Sequence, residues 1–241
     1  MDITELTGKI LGRREKDCDP LRIVQAGHPA LRRRAVRARE RLEDGRLEVA
    51  LLLELAEAMT VTMRAAPGVG LAAPQVGLPL SFYVIEDRYA DEPGEDEVGD
   101  LLERRPLPLR ALLDPVLEPL GTQRVYAFEG CLSVDGWQSI VPRSRRVLLR
   151  ATELLGDGSL REVEEEHVGW TARILQHEVD HLHTTLCHDR MVPRSYIDAD
   201  YMSHYEDLSE AIRRLGLTGD ITRLGPGEVV LRREPSSAQA D

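Results

Sequence analysis

Apolar residues recur at helical spacing in two stretches of the chain. Leu52, Leu55, Ala56, Met59 and Met63 share one face of a predicted helix, which Pro67-Gly68 then brings to an end. Val168, Ala172, Leu175, Val179 and Leu182 share another face, predicting a second helix over 167–182. The remaining apolar residues fall in short runs rich in aliphatic, β-branched and aromatic side chains. These predict strands near 78–85, 109–113, 116–120, 146–151 and 160–163, with turns at Gly121 and Gly156-Asp157-Gly158. The acidic run at 91–97 reads as a surface loop. Several short strands beside two helices predict an α+β fold.

The ends of the chain read differently. Residues 1–20 are charged and without sustained periodicity, which predicts an arm outside the core, with order beginning near Leu21. A third amphipathic helix is expected over 199–215, and the composition from Pro235 onward suits disorder. This leaves one catalytic domain over 21–194, flanked by the arm and by a C-terminal extension, 195–241, that is partly helical and then disordered.

Composition narrows the function. A chain of 241 residues has room for one domain with tails, and 42% hydrophobic residues suffice for a buried core. A net charge of −11 argues against a broad nucleic-acid-binding face, so no DNA partner is expected, and the arginines between Arg32 and Arg41 read as solvated surface. Three cysteines form no disulfide framework, and no apolar run is long enough to span a bilayer. The expected location is the cytoplasm, with no membrane contact.

The polar face of the second helix carries the chemistry. His177-Glu178-Val179-Asp180-His181 is an H-E-x-x-H sequence, whose i,i+4 spacing puts the imidazoles about 40° apart on a helix. Two metal ligands are thereby preset, and Glu178 can serve as a base for a hydrolytic water. The third ligand is expected at Cys131, in Glu129-Gly130-Cys131-Leu132-Ser133, since a thiolate with two imidazoles suits a borderline metal. Cys18 and Cys187 are expected to be structural or incidental. Gly68-Val69-Gly70-Leu71-Ala72-Ala73-Pro74-Gln75 adds flexible glycines and an amide able to donate to an oxyanion. Trp170 and Ile174 lie on the ligand side of the helix, where they could wall a pocket or simply pack.

Together, residues 68–75, 129–133 and 176–182 resemble the three motifs of peptide deformylases, in that family's order. The resemblance extends from about Leu21 to about Arg194. It implies a mixed α+β domain in which sheets surround a metal-binding H-E-x-x-H helix, and hydrolytic removal of formyl from the N-terminal methionine of nascent peptides. It also implies one divalent ion per chain, usually ferrous iron, although zinc, nickel or cobalt would suit the same ligands. In the implied assignment Cys131, His177 and His181 bind the ion and Glu178 carries the proton. Gln75 and the backbone N–H of Leu132 stabilise the oxyanion, and Val69, Gly70, Trp170 and Ile174 hold the substrate. Formylated nascent peptides, and with them the ribosome, are the implied partners.

The chain departs from the family's pattern at Asp135, where proline is frequent, at Gln138, where arginine is frequent, and at His183-Thr184, in place of Asn-Gly or Asp-Gly. Two alternatives remain beside the main reading. One is a metal-dependent amidase for another N-formyl or N-acyl small molecule, and the other is a non-catalytic ribosome or peptide binder.

Overall fold

The computed structural model describes residues 2–90 and 97–232. Its elements run α1 (Ile3–Leu11), β1 (Val36–Arg37), α2 (Ala38–Glu43), α3 (Val49–Ala65), β2 (Gly70–Ala72), β3 (Leu80–Asp87), α4 (Glu97–Leu101), β4 (Leu107–Cys131), β5 (Val134–Leu154), β6 (Leu160–Val168), α5 (Gly169–Leu182), β7 (Ile197–Asp198), α6 (Leu208–Leu215) and β8 (Val230–Arg232). Strands β1, β3, β4, β5 and β6 lie in that order, with β2 on β3, β7 on β5 and β8 on β4. All pairings are antiparallel except β1 with β3. The result is the mixed α+β architecture predicted from the pattern.

The predicted strands at 109–113 and 116–120 are one strand. β4 continues through Gly121 to Cys131 because bulges absorb the irregular positions, between Leu113 and Val116 and again between Leu120 and Arg124. Gly121 is therefore a bend within a long ribbon rather than its end. β6 likewise runs past 163 to Val168, so the second predicted helix begins at Gly169 and not at 167. Gly169 makes this direct strand-to-helix passage with φ +61°, and a Cβ there would lie 2.6 Å from the carbonyl oxygen of Leu102. Val168 thus drops out of the predicted apolar stripe and is exposed, whereas Ala172, Leu175, Val179 and Leu182 are buried.

Two apolar layers enclose the sheet. α3 buries Leu52, Leu55, Met59 and Met63 against Leu80, Phe82 and Val84 of β3. On the other side, α5 packs Ala172, Leu175, Val179 and Leu182 with Tyr83, Leu112, Val147 and Leu149. The N-terminal segment is not an arm outside the core: α1 buries Ile10 and Leu11 in the α3 layer. Its periodicity escapes detection because it is only 9 residues long, with Ile3, Leu6, Ile10 and Leu11 as its apolar positions.

The C-terminal extension also packs. Ala211 of α6, Leu217, Ile221 and Leu231 of β8 form a third cluster with Tyr126 and Ile140. The helix predicted over 199–215 is broken into a 3₁₀ segment, Ala199–His204, and α6, which Asp207 caps by accepting from the N–H of Glu210 at 2.7 Å. Of the acidic run at 91–97 expected to form a loop, Glu97 begins α4, while 91–96 and the tail from Pro235 lie outside the described residues.

Candidate active site

Cys131 ends β4, Val134 begins β5 opposite it, and Leu132-Ser133 form the turn between them. The thiol therefore sits at the tip of a long ribbon, 8% exposed. The N–H of Ser133 donates to its Sγ at 3.4 Å and Nε2 of Gln75 does so at 3.7 Å. The neighbouring Cys187 and burial push the thiol's pKa above its ordinary range, opposed by the Ser133 N–H. A cation at this point would reverse the balance in favour of thiolate.

The partners come from α5. One helical turn separates His177 and His181, whose ring centroids lie 5.1 Å apart, and Nε2 of His181 is 3.4 Å from Sγ of Cys131. Ligand atoms of Cys131, His177 and His181 all fall within 4.8 Å of one another. Nδ1 of His177 is 3.1 Å from Oε2 of Glu129. With an ionised carboxylate as acceptor, this nitrogen carries a proton, and Nε2 is the atom that would offer its lone pair to a cation.

Glu129 is itself fixed by a buried ionic network. Arg143 donates to both its oxygens, at 2.8 and 2.9 Å, and Arg173 donates to Oε1 at 2.5 Å. Burial pushes this carboxyl up, but the charges of Arg143 and Arg173 outweigh burial and hold it well below the ordinary range. Arg143 reaches on to Asp180 at 2.5 Å, which also accepts from Arg190 at 2.7 and 2.8 Å. Sequence reasoning overlooked this network even though Glu129 and Asp180 lie inside the two motifs. No local pattern joins them to Arg143 on β5, Arg173 on α5 and Arg190 beyond it.

Glu178 is 3% exposed, and burial raises its pKa to about 7. Among the described residues its Oε2 has no hydrogen-bond partner, while its Oε1 fills the space beside Gly70, where an added Cβ would lie only 2.1 Å away. Gly70 is needed for this close approach. Gln75 accepts from the N–H of Ala72 at 2.8 Å, which turns its amide nitrogen toward Cys131. Behind both, Val24 donates to the carbonyl of Gln75 and Ala26 to that of Ser133, at 2.8 and 2.7 Å. Gln25 clamps the turn, donating to the carbonyl of Leu132 at 3.0 Å and accepting from the N–H of Asp135 at 3.2 Å. Gln25 carries no motif signal.

A cavity of about 380 Å³ opens onto Cys131, His177 and Glu178. Val69, Gly70, Trp170 and Ile174 all line it, as do Gln75 and Leu132. Arg104 and Arg173 lie 5.4 and 5.7 Å from the ring centre of Trp170.

The residues present fit one cation: three donors of mixed softness converge, one imidazole is oriented by a carboxylate, and a partnerless carboxylate oxygen stands beside them. Glu129, His177 and Cys187 also converge. Glu129 is already engaged by two arginines and by His177, so the first set is the better cation site. Cys187 is nonetheless not incidental. It is 1% exposed and packs with Cys131 and Val141, its sulfur 3.0 Å from Nδ1 of His188. The 3₁₀ turn that follows α5 folds it back beneath the site. Cys18, by contrast, is exposed.

Comparison with known proteins follows the same residues. The sequence model of the polypeptide deformylase family matches residues 20–196. Peptide deformylase 3 of Streptomyces avermitilis is 48% identical over 184 residues, covering 76% of this chain and 77% of that protein. Peptide deformylase 1 of Streptomyces coelicolor is 50% identical over 176 residues, covering 73% and 75%. The crystal structure of peptide deformylase from Thermotoga maritima superposes with a TM-score of 0.55 at 31% identity, covering 73% of this chain and 99% of that one. Sequence and architecture agree that this chain belongs to the polypeptide deformylase family.

Proposed function

We propose that this chain removes the formyl group from the N-terminal methionine of nascent peptides, with Cys131, His177 and His181 as the ligands of one divalent ion and Glu178 as the proton carrier. The observation that supports it most is the convergence of these three donors beside the buried carboxylate of Glu178 at one end of a cavity. The ion, when bound, supplies Lewis acidity that polarises the formyl carbonyl and acidifies water. Ferrous iron is the proposed native ion, and the N₂S donor set also suits zinc, nickel or cobalt.

Glu178, with its pKa raised to about 7, accepts a proton from water near neutral pH and returns it to the departing amine. Gln75 offers its amide N–H groups, and Leu132 its backbone N–H, to the oxygen that gains charge at the formyl carbon. Val69, Gly70, Trp170 and Ile174 enclose the methionine side chain, whose thioether gains from contact with an aromatic ring.

The test is deformylation of formyl-methionyl peptides beside a panel of other N-formyl compounds, together with metal analysis. Turnover of the peptides is expected. Glu178→Gln should keep the metal and lose most turnover, and Cys131→Ser should lose the metal. Turnover of the other compounds alone would replace this reading with the broader amidase.

A further inference from the structure

Between Cys131 and Gln138 the ribbon departs from regular pairing. Cys131 pairs with Val134, yet Gly130 pairs with Gln138, so 135–137 bulge outward from β4 with Gly136 at φ +78°. The bulge delivers Trp137 to the mouth of the cavity, beside Gln138 and Ala199. β7 then runs along the bulge, Trp137 opposite Asp198 and Gln138 opposite Ile197. This places Tyr196 beneath the indole: the two rings are stacked, parallel within 2°, with centroids 4.5 Å apart. His188 also meets Tyr196, the two rings T-shaped with centroids 4.6 Å apart. The segment is pinned by buried Ser195, which accepts from the N–H of Ile140 at 3.0 Å and donates to the carbonyl of Val192 at 2.7 Å.

Trp137 and Tyr196 stay 39% and 38% exposed despite this support. A rigid, doubly backed aromatic surface left in water at the mouth of a site is a binding feature, because its ordering cost has already been met. The arginine that lines the cavity, Arg173, is buried and committed to Glu129, Arg104 beside Trp170 is paired with Asp87 at 2.8 and 2.9 Å, and the mouth itself offers neutral Gln138 and acidic Asp135. Its occupant is therefore apolar or aromatic rather than acidic.

We propose that Trp137, backed by Tyr196, is a specificity-determining platform that stacks on the side chain of one of the two residues following the formyl-methionine. This rests on the deformylase reading above, which places the methionine against Trp170 and Ile174; Trp137 lines the same cavity, within reach of the residues that follow the methionine.

The test measures kcat/KM of the metal-loaded full chain on formyl-Met-X-Ala and formyl-Met-Ala-X, with X as Phe, Leu, Ala or Asp. In one of the two series the Phe-to-Ala ratio should be roughly two- to tenfold, the range expected for one aromatic pair, with Asp below Ala. Trp137→Ala should bring that ratio to about one and Tyr196→Ala should reduce it, while Trp137→Phe keeps it above one. Binding of the product peptides Met-Phe-Ala, Met-Ala-Phe and Met-Ala-Ala by calorimetry should show the same order, and circular dichroism establishes that each variant is folded. Peptide turnover with a ratio of one in both series, or a ratio that survives in Trp137→Ala, overturns the platform and leaves the deformylase reading standing. No turnover of any formyl-methionyl peptide overturns both.

Discussion

Glu129 accepts from Nδ1 of His177 at 3.1 Å while Arg143 grips both of its oxygens, so the orientation of a candidate ligand is set by a charge pair buried behind it. Glu129→Gln should weaken metal retention about 10- to 100-fold. It also leaves Arg143 and Arg173 buried with less compensating charge, which should cost about 3–5 kcal/mol of stability. Chelator competition and urea unfolding measure the two effects separately. Wild-type behaviour in both would show that the carboxylate has no such role.

Gly70→Ala should cost turnover far more than stability. The new methyl would have to displace the Glu178 carboxylate, and misplacement of a catalytic group by about 1 Å can slow a reaction on the order of 100-fold. The measurement is kcat beside Tm and metal content. A variant with full kcat would mean that Glu178 has room the structure does not show.

Thr184 stands at φ +66°, a left-handed conformation that a β-branched residue rarely adopts. It occupies the position after the last residue of the α5 cap, where the N–H of Thr185 bonds to the carbonyl of Asp180 at 2.9 Å and its own N–H to that of His181 at 3.4 Å. Asparagine tolerates this conformation better. Thr184→Asn should raise Tm by roughly 2–4 °C, from relief of about 1 kcal/mol of strain. A lower Tm in calorimetry would refute the strain.

Much of the site was legible because its residues come in local patterns. His177, Glu178 and His181 share one helix turn, and Cys131 and Gln75 lie in short motifs bracketed by glycines. Gln25, Arg143, Arg173 and Arg190 were not legible, since each acts through a partner brought close only by the tertiary fold. The same holds for Cys187, which reaches Cys131 through a turn that no apolar period announces. In the fold, α3 and α5 follow from strong periodicity. The continuity of β4 and the helix α1 were missed because bulges hide the first and shortness the second.

Stability toward acid should depend on Glu153. Burial pushes its carboxyl up, but Arg110 and Arg161 outweigh burial and hold it below the ordinary 4.5. A folded-state pKa below the unfolded one contributes stability that is present above the unfolded value and is lost as pH falls through the folded value. Tm should therefore drop as pH falls below about 4.5. Glu153→Gln should start lower at neutral pH and lose less over that acidic interval. Parallel Tm curves for the two proteins would remove Glu153 from the acid response.

The family match begins at residue 20, whereas α1 lies wholly before it. The amide of Leu21 donates to the hydroxyl of Thr62 at 2.8 Å, deep in the seam beside α1 and α3. Hydrogen exchange at such an amide requires the seam to part, so α1, Leu21 and α3 should open as one cooperative unit. α3 leads directly into the glycine loop that presents Gly70 and Gln75. A helix that touches none of the candidate catalytic atoms should thus set how often the loop beside them is loosened, and hydrogen exchange at the Leu21 amide would report it.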